Sequence, residues 1–212
     1  TDLLMALGIG DNWDFEEDFV LRNDVEVFAY DGSVNFKFWM KRVLAETIKN
    51  PLKLYAFRKF FSYKNFFKGN HKHIKKIVGL NSHDNIYCTF AEVLNQTKNK
   101  NIYLKIDIEG SEYRFLNDII NNEKRITGLV IEFHYVDINL DKIKNFIDQF
   151  SLNLVHVHSN NFSPIRADDG LPITLELTFS KYAEVLKDYN LPHELDMPNN
   201  KKFPDYEIVV ND

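Results

Sequence analysis

Three carboxylates gather around one glycine at the end of a short apolar run, Leu104-Lys105-Ile106-Asp107-Ile108-Glu109-Gly110-Ser111-Glu112. An amphipathic stretch follows, so the segment reads as strand, turn and helix. In an open α/β sheet, ligands sit outside the carboxyl ends of the strands, which aims these acids at whatever the protein holds. Gly110 lets the backbone turn tightly and pass close to a ligand. A plainer account makes Ser111 the cap of the next helix and Glu112 a partner for its positive end. That account leaves Asp107 unexplained, because an acid at the end of a buried strand is costly without a partner.

Later strands end in the same way. Glu132 and His134 bracket the end of the apolar run Leu129–Phe133, and His156, His158, Asn160 and Asn161 follow the next one. In a parallel sheet such ends converge on one rim. Removing a proton from an attacking hydroxyl calls for a base with a pKa near neutrality, and a histidine steadied by a carboxylate is the usual one. His134 with Asp107 or Glu132 is the preferred pair; a lone histidine after a strand is otherwise structural. His156 and His158 point the same way out of one strand, because side chains alternate, so one of them is a second candidate. Asp, Glu and His are also ligands for a divalent metal, but no metal-specific spacing is present. Metal remains an alternative here and is not the expectation.

A second segment makes the first interpretable. Leu3-Leu4-Met5-Ala6-Leu7-Gly8-Ile9-Gly10-Asp11-Asn12 is an apolar run breaking into Gly-x-Gly. Asp14 with Glu17 reads as a capping box for a helix through about Arg22. Val25 to Tyr30 is then a second strand ending in Asp31, the spacing at which nucleotide-binding folds present a carboxylate to ribose hydroxyls. A dinucleotide site needs a third glycine and a helix N-terminus free for pyrophosphate. Trp13 stands in the third-glycine position, and Asp11, Asp14, Glu16, Glu17 and Asp18 crowd the first turns. Phosphate would be repelled there. A cofactor with ribose, an ammonium and a sulfonium but no phosphate is favoured, and S-adenosylmethionine fits. No Gly-x-x-x-x-Gly-Lys-Ser/Thr loop occurs, which argues against an NTPase.

The stretch Leu104 to Leu116, LKIDIEGSEYRFL, resembles the signature of the FkbM-type S-adenosylmethionine-dependent methyltransferases. The segments Gly8 to Asn12, Phe28 to Ser33, Val130 to His134, His156 to Asn161 and Leu175 to Phe179 fall where that family has its corresponding pieces. The similarity covers most of the chain, and the Asp-x-Glu-Gly-x-Glu run is its most specific part. It implies a Rossmann-like class I methyltransferase fold and O-methylation of a sugar hydroxyl, in bacterial capsule, lipopolysaccharide or natural-product pathways. Gly8, Gly10 and Asp11 would shape the methionine end of the cofactor pocket and Asp31 would hold the ribose. Asn81, Ser82 and Asp84 would lie near the adenine, and Asp107, Glu132 and His134 would orient and deprotonate the acceptor. By the same resemblance, a stretch that helps cover the cofactor would precede Thr1.

The elements that must position these residues follow from periodicity and punctuation. Helices are expected over Asn35–Ile48, from a capping box at Thr89 and Glu92, over Ser111–Asn121 and over Leu140–Phe150. Strands are expected at Ile74–Val78, Ile102–Ile106, Leu129–Phe133, Leu154–Val157 and Ile173–Phe179, with a last one at 208–210 after a Pro-punctuated tail. Alternating strands and helices predict an α/β fold with a mostly parallel sheet and helices on both faces; the resemblance to class I methyltransferases implies seven strands and a late antiparallel edge strand. With 212 residues, 44% of them apolar and 27% charged, the chain fits one domain with a full core. Cys88 is the only cysteine, which rules out an internal disulfide and a cysteine-based zinc site and suits a reducing cytoplasm. No apolar run reaches the length of a membrane span.

One segment departs from the chain's net charge of −5: from Thr47 to His83 there are nine Lys and Arg residues and no Asp or Glu. Phe57, Phe60, Phe61, Tyr63, Phe66 and Phe67 are interleaved with them. At about residues 49–73 the segment reads as an insertion before the third strand. It would serve as a cap for an anionic acceptor, such as a nucleotide- or phosphate-linked sugar, as a surface meeting anionic membrane, or as a solvated helix with its aromatics on the core. Nucleic acid is the weakest partner, and the Asn/Asp-Pro-Pro-aromatic run of amino-methylating DNA enzymes is absent. Two rivals remain: a non-catalytic nucleotide- or glycan-binding protein that kept the fold, and a nicotinamide-dependent sugar reductase, against which the missing third glycine counts.

Overall fold

The computed structural model describes residues 1–49, 54–82, 84–97, 100–183 and 191–208. They fall into two compact units, Thr1–Lys100 and Asn101–Asp212.

The first unit opens with β1 (Leu3–Leu7), all five residues of which are buried. A run without polar side chains cannot serve as a half-exposed strand, so it sits centrally, with parallel β2 (Glu26–Tyr30) beside it, Leu3 opposite Glu26 and Leu7 opposite Tyr30. Between them lies α1 (Asp14–Arg22). The capping box expected at its start does not form. Trp13 is the N-cap and gives no side-chain cap; its indole N–H donates to Glu17 Oε1 at 2.7 Å, so the glutamate is drawn to the tryptophan. After β2 come α2 (Phe36–Lys49) and α3 (Tyr55–Phe66). The third strand is displaced from its expected place: β3 (His71–Ile74) pairs with β2, Val27 opposite His71. Ile77–Gly79 instead forms β4, which pairs with β5 (Tyr87–Thr89) in a separate two-stranded sheet. The helix α4 (Phe90–Asn95) begins with the expected capping box, both Thr89–Glu92 bonds being present. Ala6, Ile9, Trp13, Ala29, Val34 and Trp39 form a buried cluster on which aromatic residues of α2 and α3 pack. Part of the predicted insertion is therefore core and its end is sheet; residues 50–53 lie outside the described residues.

The second unit begins with β6 (Ile102–Ile106), as expected, followed by a one-turn 3₁₀ helix (Glu112–Arg114), α5 (Leu116–Asn121) and a second 3₁₀ turn. Then come β7 (Ile126–Phe133), α6 (Val136–Gln149), β8 (Asn153–Ser159) and β9 (Leu175–Ser180). β6 and β7 are parallel, while β9 runs antiparallel to both β7 and β8. Phe133, Phe146, Phe150 and Phe179 pack edge-on and stacked at 5.0–6.2 Å to form this unit's aromatic core. Ser111 does not cap the following helix, which reduces the expected single helix to a 3₁₀ turn and α5. Of the strand expected at 208–210, Ile208 makes an isolated bridge to Leu191, and the rest lies outside the described residues.

The strand order is β3-β2-β1-β6-β7-β9-β8. This is the mostly parallel, Rossmann-like class I methyltransferase arrangement. The late antiparallel strand is β9, and the outermost β8 flanks it.

Candidate functional site

In the first unit, the chain leaves β1 through Gly8 and Gly10, both at positive φ (82° and 51°). A Cβ on Gly10 would meet nothing within 4 Å, so this turn has open space above its backbone. Asp31, just past β2, holds the turn in place. Its Oδ2 accepts from the N–H groups of Ile9 (3.1 Å) and Gly10 (2.9 Å), and Oδ1 accepts from Ser33 N (2.8 Å) and Oγ (2.6 Å). Burial disfavours the charged carboxylate, but these bonds outweigh it and keep the Asp31 pKa below its ordinary value. Four bonds occupy the roughly four lone-pair sites a carboxylate offers, so a ribose would have to share or displace one. Asp11 pairs with Arg42, and Asp14 lies 3.4 Å from Lys59, which offsets part of the negative charge of this turn. His73 was not singled out from the sequence. Its Nε2 lies 2.9 Å from the Asp31 carbonyl and its Nδ1 contacts the Tyr63 hydroxyl. Burial holds its pKa down despite that carbonyl, so the neutral ring braces the end of β2. Asn81, Ser82 and Asp84 follow β4, not the sheet's third strand, and are exposed; Ser82 Oγ donates to the Tyr87 carbonyl at 3.4 Å.

In the second unit, the expected residues converge. The ligand atoms of Asp107, Glu132 and His134 all lie within 4.8 Å of one another. His134 is 13% exposed, with Nδ1 at 2.9 Å from Glu112 Oε1 and Nε2 at 3.1 Å from Glu132 Oε1. Glu109 Oε2 stands 3.5 Å from the same Nε2. Burial opposes charging of the ring, yet the bonds to Glu112 and Glu132 prevail and raise its pKa to about 10. His134 is thus an imidazolium at neutral pH. The Asp107 pKa rises as well, which in a carboxylate favours the neutral form: burial, then the charge of Glu132, lift it to about 6. A carboxylate with that value is a competent base near neutrality. The donor set could also hold a divalent cation, two oxygens and one nitrogen being suitable ligands.

Glu112 is the residue that sequence reasoning undervalued. It is fully buried, and its Oε1 accepts from the N–H groups of Ile108 (3.2 Å) and Gly110 (3.0 Å) as well as facing His134. It folds the 107–112 turn around itself instead of facing a helix end. The signal was present, since this is the third acid of the Asp-x-Glu-Gly-x-Glu run. Tyr113 adds a bond from its hydroxyl to the His134 carbonyl at 2.6 Å.

No family model matches the chain, and no curated protein does. Similar solved structures include the delta-N METTL16 MTase domain, with 10% identity and a TM-score of 0.45 over 86% of this chain and 73% of that one. The human methyltransferase 10 domain containing protein is 11% identical with a TM-score of 0.46, over 86% of this chain and 72% of that one. TrmK of M. capricolum, in complex with S-adenosyl-homocysteine, is 12% identical with a TM-score of 0.43, over 89% of this chain and 66% of that one.

The histidines after β8 serve another purpose. His156 Nε2 is 2.8 Å from Asp196, and His158 lies between Glu176 (3.1 Å) and Asp205 (2.8 Å). Their rings are nearly parallel, 6.4 Å apart, so they do share one side of the strand. Asn161 Nδ2 donates to the carbonyls of Asn200, Phe203 and Pro204. These residues fasten the C-terminal tail to β8. Asn160 alone joins the cluster, donating to Glu132 Oε1 at 3.2 Å.

Proposed function

We propose that the chain is an S-adenosylmethionine-dependent O-methyltransferase of the FkbM type, acting on a sugar hydroxyl in a bacterial capsule or lipopolysaccharide pathway. The observation that carries this reading is the half-buried arrangement of Asp107, Glu132 and His134 braced by the buried Glu112, at the ends of β6 and β7 in a Rossmann-like sheet. The glycine turn supports the cofactor assignment through the open space at Gly10 and the fixed carboxylate of Asp31. S-adenosylmethionine, when bound, supplies a methyl group on a sulfonium. Gly8, Gly10 and Asp11 would shape its amino-acid end and Asp31 its ribose.

Within the cluster, the proton-accepting role falls to Asp107. At neutral pH His134 already carries its proton, whereas Asp107 is largely ionised and able to take one from an acceptor hydroxyl. Glu132, held by Asn160 and His134, can accept a hydrogen bond from a neighbouring sugar hydroxyl and so orient the ring. His134, as a fixed cation, stabilises the negative charge that develops on the attacking oxygen.

Calorimetry tests the cofactor half: S-adenosylhomocysteine should bind in the micromolar range, about −8 kcal/mol, and NAD far more weakly. Tighter NAD binding would overturn the assignment. With nucleotide-linked sugars as acceptors and product mass as readout, Asp107→Asn should lose a factor of about 10² to 10⁴ in turnover while still binding S-adenosylhomocysteine. Wild-type turnover in that variant would remove Asp107 from the chemistry.

A further inference from the structure

Helix α2 wears its hydrophobicity on the wrong side for a helix that only packs inward. Phe36, Met40, Leu44 and Ile48 recur every four residues, so they lie along one face, and they are 68%, 45%, 54% and 80% exposed. Lys37 and Lys41, both exposed, are set along the same stripe. The stripe cannot be absorbed by turning the helix, because the opposite face is already committed. Trp39 is buried against Trp13, Phe60 and Tyr63 at 5.4–6.3 Å between ring centres.

Helix α3 repeats the design. Ala56, Phe60, Tyr63 and Phe67 face the core, while Phe57, Phe61, Lys64 and Lys68, spaced four, three and four residues apart, form an outward stripe. Phe57 and Phe61 are 48% and 50% exposed, and Leu54 and Tyr55 at the helix start more so. This stripe continues into a groove of about 780 Å³ against α1, walled by Val20, Leu21, Phe57, Phe61 and Phe66 with Arg58 and Lys68 among its lining residues. Glu17 is the acid in that lining, and its carboxylate is engaged by the Trp13 indole. On α2, Glu46 accepts from the Ala56 N–H, which points it at the start of α3.

Large exposed apolar patches mark interaction sites, and the charge around this one selects the partner. Lys37, Lys41, Arg58, Lys64 and Lys68 surround apolar side chains in a stretch, residues 36–68, whose single Asp or Glu is Glu46, on a chain whose net charge is −5. An interfacial helix has this composition: apolar side chains enter the boundary of the acyl chains, and flanking lysines meet anionic headgroups. We propose that the outward stripes of α2 and α3 form a docking surface for an anionic lipid bilayer. The acyl region takes Phe36, Met40, Leu44, Ile48, Phe57 and Phe61, and the lysines bind lipid phosphate. This inference does not rest on the methyl-transfer reading.

Flotation with vesicles tests it. The wild-type chain should partition onto vesicles of phosphatidylcholine with about 30% phosphatidylglycerol, and only weakly onto phosphatidylcholine alone. Binding should fall as salt rises from low concentration to roughly 0.5 M, where the Debye length is well below 8 Å. The surface variant Lys41→Glu/Lys64→Glu/Lys68→Glu should bind the anionic vesicles at least tenfold more weakly. Phe57→Ser/Phe61→Ser should lose binding at low salt too, with an unchanged circular dichroism spectrum and a cooperative thermal unfolding transition. Failure of the wild type to bind anionic vesicles would overturn the proposal, as would equal binding to both vesicle types. A wild-type chain that stays off vesicles but dimerises through these stripes, the dimer being lost in the phenylalanine variant, would assign the surface to a second copy instead.

Discussion

His134 and Asp107 have exchanged the roles their ordinary chemistry suggests, and the cause is their neighbours. Two carboxylates at 2.9 and 3.1 Å keep the imidazole charged up to about pH 10, while burial and the charge of Glu132 keep a proton on Asp107 up to about pH 6. A base must be unprotonated to act, so the rate of methyl transfer should fall as pH drops through about 6 and stay level toward pH 9. A profile whose acidic limb lies near 4, or one that keeps rising to pH 10, would assign the base elsewhere. Glu112 supplies the first bond that raises the histidine. In Glu112→Gln the His134 titration, followed by its ring proton shift, should move down from about 10 toward its ordinary value. An unmoved titration would show that Glu132 alone holds the ring.

At the scale of the element, the 107–112 turn works because its backbone takes shapes only certain residues tolerate. Glu109 sits at φ 55° and Gly110 at φ 95°, and the Cβ of an alanine at 110 would come within 2.6 Å of the Tyr135 ring. Tyr135 is itself left-handed, at φ 54°, where β7 turns into α6. Gly110→Ala should therefore cost about 2 kcal/mol or more in chemical unfolding, one part from positive φ and one from the ring. Adding Tyr135→Ala removes the collision but not the backbone strain, so the double variant should recover only part of the loss relative to Tyr135→Ala alone. Full recovery would mean the ring is the whole cause. No recovery would mean the backbone is.

At the scale of the molecule, the tail is held to the second unit by charge. The His158 bond to Glu176 raises the histidine pKa against the opposing effect of burial, and Asp205 adds to it, to about 9. A histidine whose folded pKa exceeds its unfolded one near 6.5 stabilises the fold fully below that lower value. The contribution fades as pH rises through about 9. Wild-type stability should thus fall by roughly 2 kcal/mol between pH 6.5 and 9.5 from this group. His134 contributes with the same sign over an overlapping range that runs on to about pH 10, so the difference between wild type and His158→Ala isolates the tail: the variant should be less stable at pH 6.5 and its stability should fall less steeply up to pH 9.5. A parallel pH dependence in the variant would show that His158 does not carry the effect.

The sequence alone determined most of the architecture, because local rules set it. The fully apolar Leu3–Leu7, the alternating Ile102–Ile106 and the Thr89–Glu92 capping box each become the expected element, since hydrophobic period and local hydrogen bonding act within a few residues. It also named Asp107, Glu132 and His134, because polar residues at the ends of apolar strands are conspicuous. Pairing was beyond it. Whether His71–Ile74 or Ile77–Gly79 joins the main sheet depends on which edge β2 offers, and the predicted strand at Ile74–Val78 straddled the two. Tertiary structure alone decided that Asp31 spends its lone pairs on the glycine turn, that Glu112 is buried beneath His134, and that His156 and His158 grip a distant tail. Protonation follows from those contacts. A side chain's pKa is set by burial and by charges a few ångströms away, and residues 112 and 134, or 158 and 205, become neighbours only once the chain has folded.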